Sequence, residues 1–371
     1  MTTVRRYVNY GPLALELIVQ KELAEHVERE LSPFFEFADE TVHEVIASLH
    51  MPQKSERLAK RPECRPRNLD VDTSLYKHLA SEGLRWDISP DIYIVEIVAT
   101  GTRVLFDKVE RRIDLFNPDT EPCRIDFVRL VKGLFTPALE CAGCVQLHSA
   151  GVVDRDGAAT LLLGDMWMGK TTVLLQMLSE FDVGQLSCDT VVAWNDGVSL
   201  VARGWPTPFS ISNGTLSDQP ELYEHFPKER ANLPYSERWI RREKTVLTSK
   251  QVVEYYGTFL SDKSHPVDAI IVARYLPDEP TGIELIEDYE GLMTLLRPIY
   301  LGSRDPIYHN WHEFVVCSDS EIDSNLEVFA KSMLEKTDVY VMTWAPSMTS
   351  LLKRIPKFAR QHKAMRDIVD Y

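Results

Sequence analysis

Gly164-Asp165-Met166-Trp167-Met168-Gly169-Lys170-Thr171 fits G-x-x-x-x-G-K-[ST]. Residues of these types at this spacing suit one kind of chemistry. A turn aims successive backbone N–H groups at a polyphosphate, while the dipole of the following helix adds partial positive charge. Lys170 then reaches the outer phosphates, and the Thr171 hydroxyl holds Mg²⁺. Gly164, Asp165, Met166, Trp167, Met168, Gly169, Lys170, Thr171 and Thr172 are therefore the candidate nucleotide-binding residues, with ATP or GTP and Mg²⁺ as the expected ligands. The loop interior is bulky for such a motif. Trp167 stands where glycine is common, so a tighter or differently shaped loop is expected.

Such a loop needs a strand before it and a helix after it, and both are legible. Residues 158–163 form an apolar run and residues 170–179 read as a helix. Residues 145–153 predict a preceding strand, closed by the turn Asp154-Arg155-Asp156-Gly157. Beyond the helix, residues 184–194 predict an apolar strand with Asp189 at its head, where a carboxylate can face the Mg²⁺-phosphate site; the alternative is a carboxylate capping a turn. His148 is a candidate general base, because an ordinary histidine titrates near pH ~6.5, or else a satisfied histidine at a strand end. Arg203, Lys244 and Arg274 each adjoin a strand and are candidates for a second cation on the phosphates. The expected catalytic set is His148, Lys170 and Asp189, with Thr171 and Asp189 as metal ligands.

The rest of the chain predicts a small α+β domain over residues 1–120, a nucleotide domain over 121–345, and a basic helix over 346–371. In the first domain, residues 13–19 and 42–49 read as strands and 21–31 as a helix ended by Ser32-Pro33. Residues 92–99 and 102–106 read as a hairpin across Thr100-Gly101, followed by a short strand at 113–116. Residues 51–70 form a basic, proline-interrupted connector, or else a clamp for an acidic ligand. Residues 124–139 are helical in pattern. Further on, residues 267–273 predict a buried strand with 282–286 pairing beside it, 290–296 and 326–334 predict helices, and 339–343 a late strand.

A net charge of -15 disfavours nucleic-acid and anionic-membrane binding. No apolar stretch is long enough to span a bilayer and no secretory apolar core follows Met1, so a cytoplasmic protein is expected. Six cysteines in 371 residues do not make a disulfide scaffold. Cys141-Ala142-Gly143-Cys144, with His148 four residues on, lacks a second ligand pair for zinc, so small buried thiols at a helix end are expected. His309-Asn310-Trp311-His312-Glu313 is a compact patch, but it has neither a helical setting nor a third ligand.

The order Leu147-His148-Ser149-Ala150-Gly151-Val152-Val153, then the phosphate loop, then Leu186-Ser187-Cys188-Asp189 resembles the HPr kinase/phosphorylase family and its divergent relatives. The resemblance covers about residues 135–345. It implies a mixed-sheet α/β nucleotide domain of the architecture shared with phosphoenolpyruvate carboxykinase. On this likeness His148 matches the active-site histidine, and Gly164, Gly169, Lys170 and Thr171 match the loop. Asp189 matches the second aspartate of a pair whose first member is Cys188 here, and a thiol is a poor ligand for a hard cation. The family's long glycine-rich second signature is replaced by Gly204-Trp205-Pro206-Thr207-Pro208-Phe209, so phosphorylase activity on HPr is not implied. What is implied is an ATP-dependent kinase acting on a serine-type hydroxyl of a peptide, protein or small metabolite, including the maturation of ribosomally made peptides, and acting as a homo-oligomer. Two other readings compete with it. One is a nucleotide-binding scaffold or regulator that has lost transfer; the other is activation of a carboxylate through an acyl phosphate.

Overall fold

Alternating apolar and polar side chains make strands the main element among the described residues up to Phe116, and a long helix follows them. The computed structural model describes residues 2–51, 62–71, 81–116, 120–228, 233–234, 237–238, 243–276, 280–305, 310–344, 352 and 354–358. The chain forms two units, Met1–Cys144 with Leu301–Asn325, and Val145–Tyr300 with Leu326–Tyr371. Both are mixtures of helix and sheet. Among the described residues no helix is long and apolar enough to cross a membrane.

The first unit is a nine-stranded sheet in the order β3-β1-β2-β4-β9-β8-β7-β6-β5. Its strands are β1 (Thr3–Tyr10), β2 (Leu13–Gln20), β3 (Glu36–Ala38), β4 (Glu44–His50), β5 (Arg67–Val71), β6 (Ser81–Asp87), β7 (Ile92–Ile97), β8 (Thr102–Asp107) and β9 (Arg112–Phe116). Helix α1 (Lys21–Leu31) buries Leu23, Ala24, Val27 and Leu31 on one face and ends at Ser32. Helix α2 (Thr120–Cys141) packs against α1 and β2. This helix therefore belongs to the first unit, and the boundary expected at residue 120 falls instead near Cys144. Its apolar face, with Phe127, Leu134 and Phe135 fully buried, is what ties it there. Of the basic connector 51–70, residues 52–61 lie outside the described residues, while Arg67 opens β5 and pairs with Asp87 and Glu313.

Pro137 sits inside α2 and has no N–H, so the carbonyl of Gly133 loses its helical partner. His312 supplies one: its Nε2 lies 3.1 Å from that carbonyl, and its Nδ1 accepts the N–H of Phe314 at 3.1 Å. Both ring nitrogens of His312 are thereby committed, with the proton on Nε2. Glu313 beside it bonds the buried Arg85 at 2.7 Å, and Arg85 lies over the Tyr93 ring at 3.8 Å. His309 lies outside the described residues. Cys144 is buried as expected, but Cys141 at the end of α2 is exposed.

The second unit contains β10 (Val145–Asp154), β11 (Ala159–Leu163), α3 (Lys170–Glu180), β12 (Val183–Ser187), β13 (Thr190–Asn195), β14 (Leu200–Gly204), β15 (Phe209–Ser212), α4 (Asn213–Ser217), β16 (Lys244–Leu247), α5 (Ser249–Tyr255), β17 (His265–Tyr275), β18 (Gly282–Leu285), α6 (Tyr289–Leu296), the end of α7 (Asp319–Lys336) and β19 (Asp338–Trp344). The main sheet runs β11-β10-β13-β14-β17-β19-β18, with β12 on β10 and β11 also parallel to β17; β15 and β16 form a separate pair. The segment at 282–285 pairs with β19 and not with β17, because β19 lies between them. Leu162, Ile271 and Ala273 join a core with α3, whereas Leu161, Leu163, Ile270 and Val272 join one with α6 and α7. Burial on both faces explains the apolar runs at 161–163 in β11 and 269–273 in β17. Of the basic C-terminal segment, Ile355 and Phe358 enter the α3 core, and Lys357 Nζ bridges Asp154 at 2.8 Å and Asp268 at 2.7 Å.

Replacing His312 by Ala takes that donor from the part-buried Gly133 carbonyl and empties a buried side-chain site. We expect His312→Ala to lower the stability of the first unit by about 1–3 kcal/mol, read from denaturant unfolding followed by tryptophan fluorescence.

Candidate functional site

β11 is pinned between β10 and β17, so the chain leaving its end at Leu163 must turn over the edge of the sheet before α3 can pack back on it. Glycine meets two needs of that turn. A Cβ at Gly164 would sit 2.9 Å from the Ala273 carbonyl oxygen, and Gly169 takes φ +87° as the residue that starts α3. Trp167 also takes a left-handed conformation, φ +71°, which explains why glycine is common there. Lys244 at the start of β16 places its Nζ 4.3 Å from the centre of the Trp167 ring. The N-cap residue Gly169 has no side chain with which to cap the start of α3. Its first-turn N–H groups thus keep the capacity to bind an anion.

Lys170 is buried at the base of this turn. Its Nζ donates to the carbonyls of Gly164 at 2.8 Å and Asp165 at 3.1 Å. Burial disfavours the charged ammonium and pulls its pKa down to about 8, against the resistance of the Asp189 and Asp165 carboxylates. The Asp165 carboxylate itself accepts the N–H of Met166 at 2.6 Å.

The other half of the site comes from a break in the ladder beside β10. Gly151 pairs with Ser187 of β12 and His148 with Thr190 of β13, and Cys188 and Asp189 occupy the gap. Sequence periodicity reads 184–194 as a single strand because both halves are equally buried. The N–H of Ser149 holds the Asp189 carbonyl at 3.0 Å, and His148 Nε2 lies 3.1 Å from Asp189 Oδ1. Burial works against ionisation of Asp189. The hydrogen bond and charge of His148, with the charges of Lys170 and Lys244, outweigh it and hold the carboxyl below the usual range.

Cys188 turns the other way. Its thiol donates to the Thr207 carbonyl at 3.1 Å and lies in the apolar core with Phe209, and burial pushes its pKa up to about 12. The segment 204–209 forms this floor, with Trp205 fully buried and its N–H on the Thr190 carbonyl. Position 188 therefore does not contribute to the same surface as Asp189.

A cavity of about 750 Å³ opens over these groups, a size suited to a small ligand. His148, Lys170, Thr171, Thr172 and Asp189 line it, together with Met166, Trp167 and Gly169. Gly164, Asp165 and Met168 are not in the lining and shape the turn from behind. Of the three candidate cations, Lys244 lines the cavity. Arg203 is buried and donates to the Asp262 carbonyl, and Arg274 is exposed. Sequence reasoning did not find Tyr275, at the end of β17, or the wall carrying Ser212, Thr215, Asp218 and Gln219. The only local signal of that wall is the Ser212 N-cap of α4, which accepts the Thr215 N–H. Comparison with protein-family models and with curated proteins finds no match to this chain.

Introducing a carboxylate at position 188 would bury a charge against the Thr207 carbonyl and add nothing to the cavity. We expect Cys188→Asp to destabilise the second unit by about 3–5 kcal/mol in denaturant unfolding, with no gain in Mg²⁺ affinity by calorimetry.

Proposed function

We propose that the second unit is an ATP-dependent phosphotransferase acting on a hydroxyl acceptor, a divergent relative in architecture and chemistry of the HPr kinase/phosphorylase proteins. The observation that carries this reading is the convergence on one cavity of the buried Lys170, the uncapped start of α3 and the His148–Asp189 pair. Phosphoryl transfer asks the protein mainly for positioning and for neutralisation of spread-out charge, and these parts supply both.

In this reading the loop 164–171 is a P-loop, whose N–H groups cradle the triphosphate. Lys170 leaves the loop carbonyls for the outer phosphates, and Lys244 adds a second positive charge. Thr171 and Asp189 are oxygen donors of the type Mg²⁺ prefers, and with phosphate oxygens they would hold it. Bound there, Mg²⁺ would offset charge on the phosphates. His148, with Nε2 on the carboxylate, fixes the orientation of Asp189, and the pair receives the proton of the acceptor hydroxyl. The acceptor class follows from the resemblance: a serine-type hydroxyl on a peptide, protein or small metabolite. The scaffold reading draws support from Cys188, which leaves one carboxylate where the family has two. An ionised Asp189, paired with His148 and lining the same cavity as Lys170, favours transfer.

Incubation with γ-labelled ATP, Mg²⁺ and candidate hydroxyl peptides tests the proposal. We expect label on the acceptor, lost by at least about 10³-fold in Lys170→Ala and Asp189→Asn and by about 10²-fold in His148→Ala. ATP binding with no transfer to any acceptor would favour the scaffold, and transient label on a carboxylate with none retained would favour acyl activation.

The pKa of Lys170 gives a separate expectation. Phosphates favour the ammonium, whereas the unliganded protein loses that proton near pH 8. ATP affinity is then full below about pH 8 and falls as pH rises through it, by up to about tenfold per unit. Calorimetry at pH 8.5 to 9 in two buffers of different ionisation enthalpy should register proton uptake on binding, and its absence would contradict this placement of Lys170.

A further inference from the structure

The cavity is longer than a phosphate site requires, and its two ends differ in chemistry. Among the described lining residues the cationic groups Lys170 and Lys244, with His148, stand at the loop end. The other end lies between one face of α3 and the segment that follows α4. On α3 that face is Thr172, Gln176 and Glu180, spaced four residues apart, so Gln176 stands about 6 Å and Glu180 about 12 Å beyond Thr172 along the axis. Opposite them stand Thr215, Asp218 and Gln219, which carry hydroxyl, carboxylate and amide groups.

Internal bonds hold this arm in place. Thr172 and Thr215 share a hydroxyl hydrogen bond of 2.9 Å that ties the two walls together at the loop end. The Gln176 amide donates to Glu180 at 3.1 Å, which links the two side chains along this face of α3. Gln219 accepts the Tyr256 hydroxyl at 2.8 Å, which leaves its NH₂ as the donor. Burial pushes the Tyr256 pKa upward, so the hydroxyl stays protonated and that orientation persists.

A P-loop also fixes the direction of a triphosphate. The lysine meets the β- and γ-phosphates, while backbone N–H groups at the helix start meet the α- and β-phosphates. The α-phosphate, and the nucleoside attached to it, therefore leave the loop on the Thr172 side, away from Asp189. That direction leads into the uncharged and acidic arm, which repels further phosphate and suits the hydroxyls of a sugar and the N–H edges of a base.

We propose that the arm between α3 and the segment after α4 is a nucleoside subsite, in which Gln176, Glu180, Asp218 and Gln219 hydrogen-bond the ribose and base of the bound nucleotide. This proposal rests on the reading of the loop as a triphosphate site. Recognition here is of a neutral nucleoside, and the acceptor hydroxyl is left the opposite end of the cavity, beside His148 and Asp189.

Calorimetry of the full chain with Mg²⁺, using ATP, GTP and inorganic tripolyphosphate as ligands, separates the two layers of the claim. Wild-type protein is expected to bind at least one of the two nucleotides about tenfold or more tightly than tripolyphosphate, the equivalent of a few hydrogen bonds. The double variant Gln176→Ala/Asp218→Ala should bring that nucleotide to within about threefold of tripolyphosphate while tripolyphosphate affinity stays unchanged, which also reports an intact loop. The more conservative Glu180→Gln should narrow the same gap by about threefold. Equal affinities for nucleotide and tripolyphosphate in the wild type, or a gap that both variants leave intact, would overturn the subsite and leave the loop reading standing. Failure of all three ligands to bind would overturn both.

Discussion

A buried ammonium group is expensive unless something negative meets it, and the second unit is built around one. Lys170 is almost fully buried, bonded to two carbonyls of its own loop and facing the carboxylate of Asp189 across the cavity. Carbonyl dipoles compensate a full charge only in part, and the depressed pKa registers the remainder. An anionic ligand is the natural complement. Every element around the loop serves to hold the lysine there: β11 fixed between two strands, α3 packed on the sheet through Val173, Leu174 and Met177, and glycine where the Ala273 carbonyl leaves no room for a side chain.

The same constraint explains the arrangement across the cavity. β10 carries β12 and β13 in succession, and at the break between them the chain leaves the ladder next to His148. Asp189 uses that freedom to face the cavity, while Cys188 is drawn into the core by its apolar neighbours and the Thr207 carbonyl. The cysteine is thus a packing solution, and at this break one carboxylate, bonded to His148, lines the cavity.

Much of this was legible in the sequence where local chemistry dictates it. The loop announces itself through glycines whose positions admit little else, and β11 through the apolar run at 161–163 that follows from burial on both faces. Asp189 could be singled out as an acidic residue at the head of an apolar run, and His148 as a titratable side chain within the strand that precedes the loop. Long-range pairing left no such mark. Residues 282–285 look able to pair with β17, and only the insertion of β19 decides otherwise. Helix α2 carries an apolar face that would fit either unit, and its contacts with α1 and β2 choose the first. The far wall of the cavity is made of ordinary polar residues on short elements, whose meaning appears only when α3 is seen opposite them. The role of His312 is hidden for a related reason: it answers a carbonyl freed by Pro137, far away in the chain.

The central claim is that Lys170 exchanges loop carbonyls for a triphosphate whose terminal group faces Asp189. A crystal structure with a slowly hydrolysed ATP analogue and Mg²⁺ tests it most directly. We expect Lys170 Nζ on β- and γ-phosphate oxygens, withdrawn from the Gly164 carbonyl, with the terminal phosphorus between that lysine and Asp189. A ligand bound elsewhere, or Lys170 still hydrogen-bonded to Gly164 and Asp165 with the triphosphate present, would contradict it.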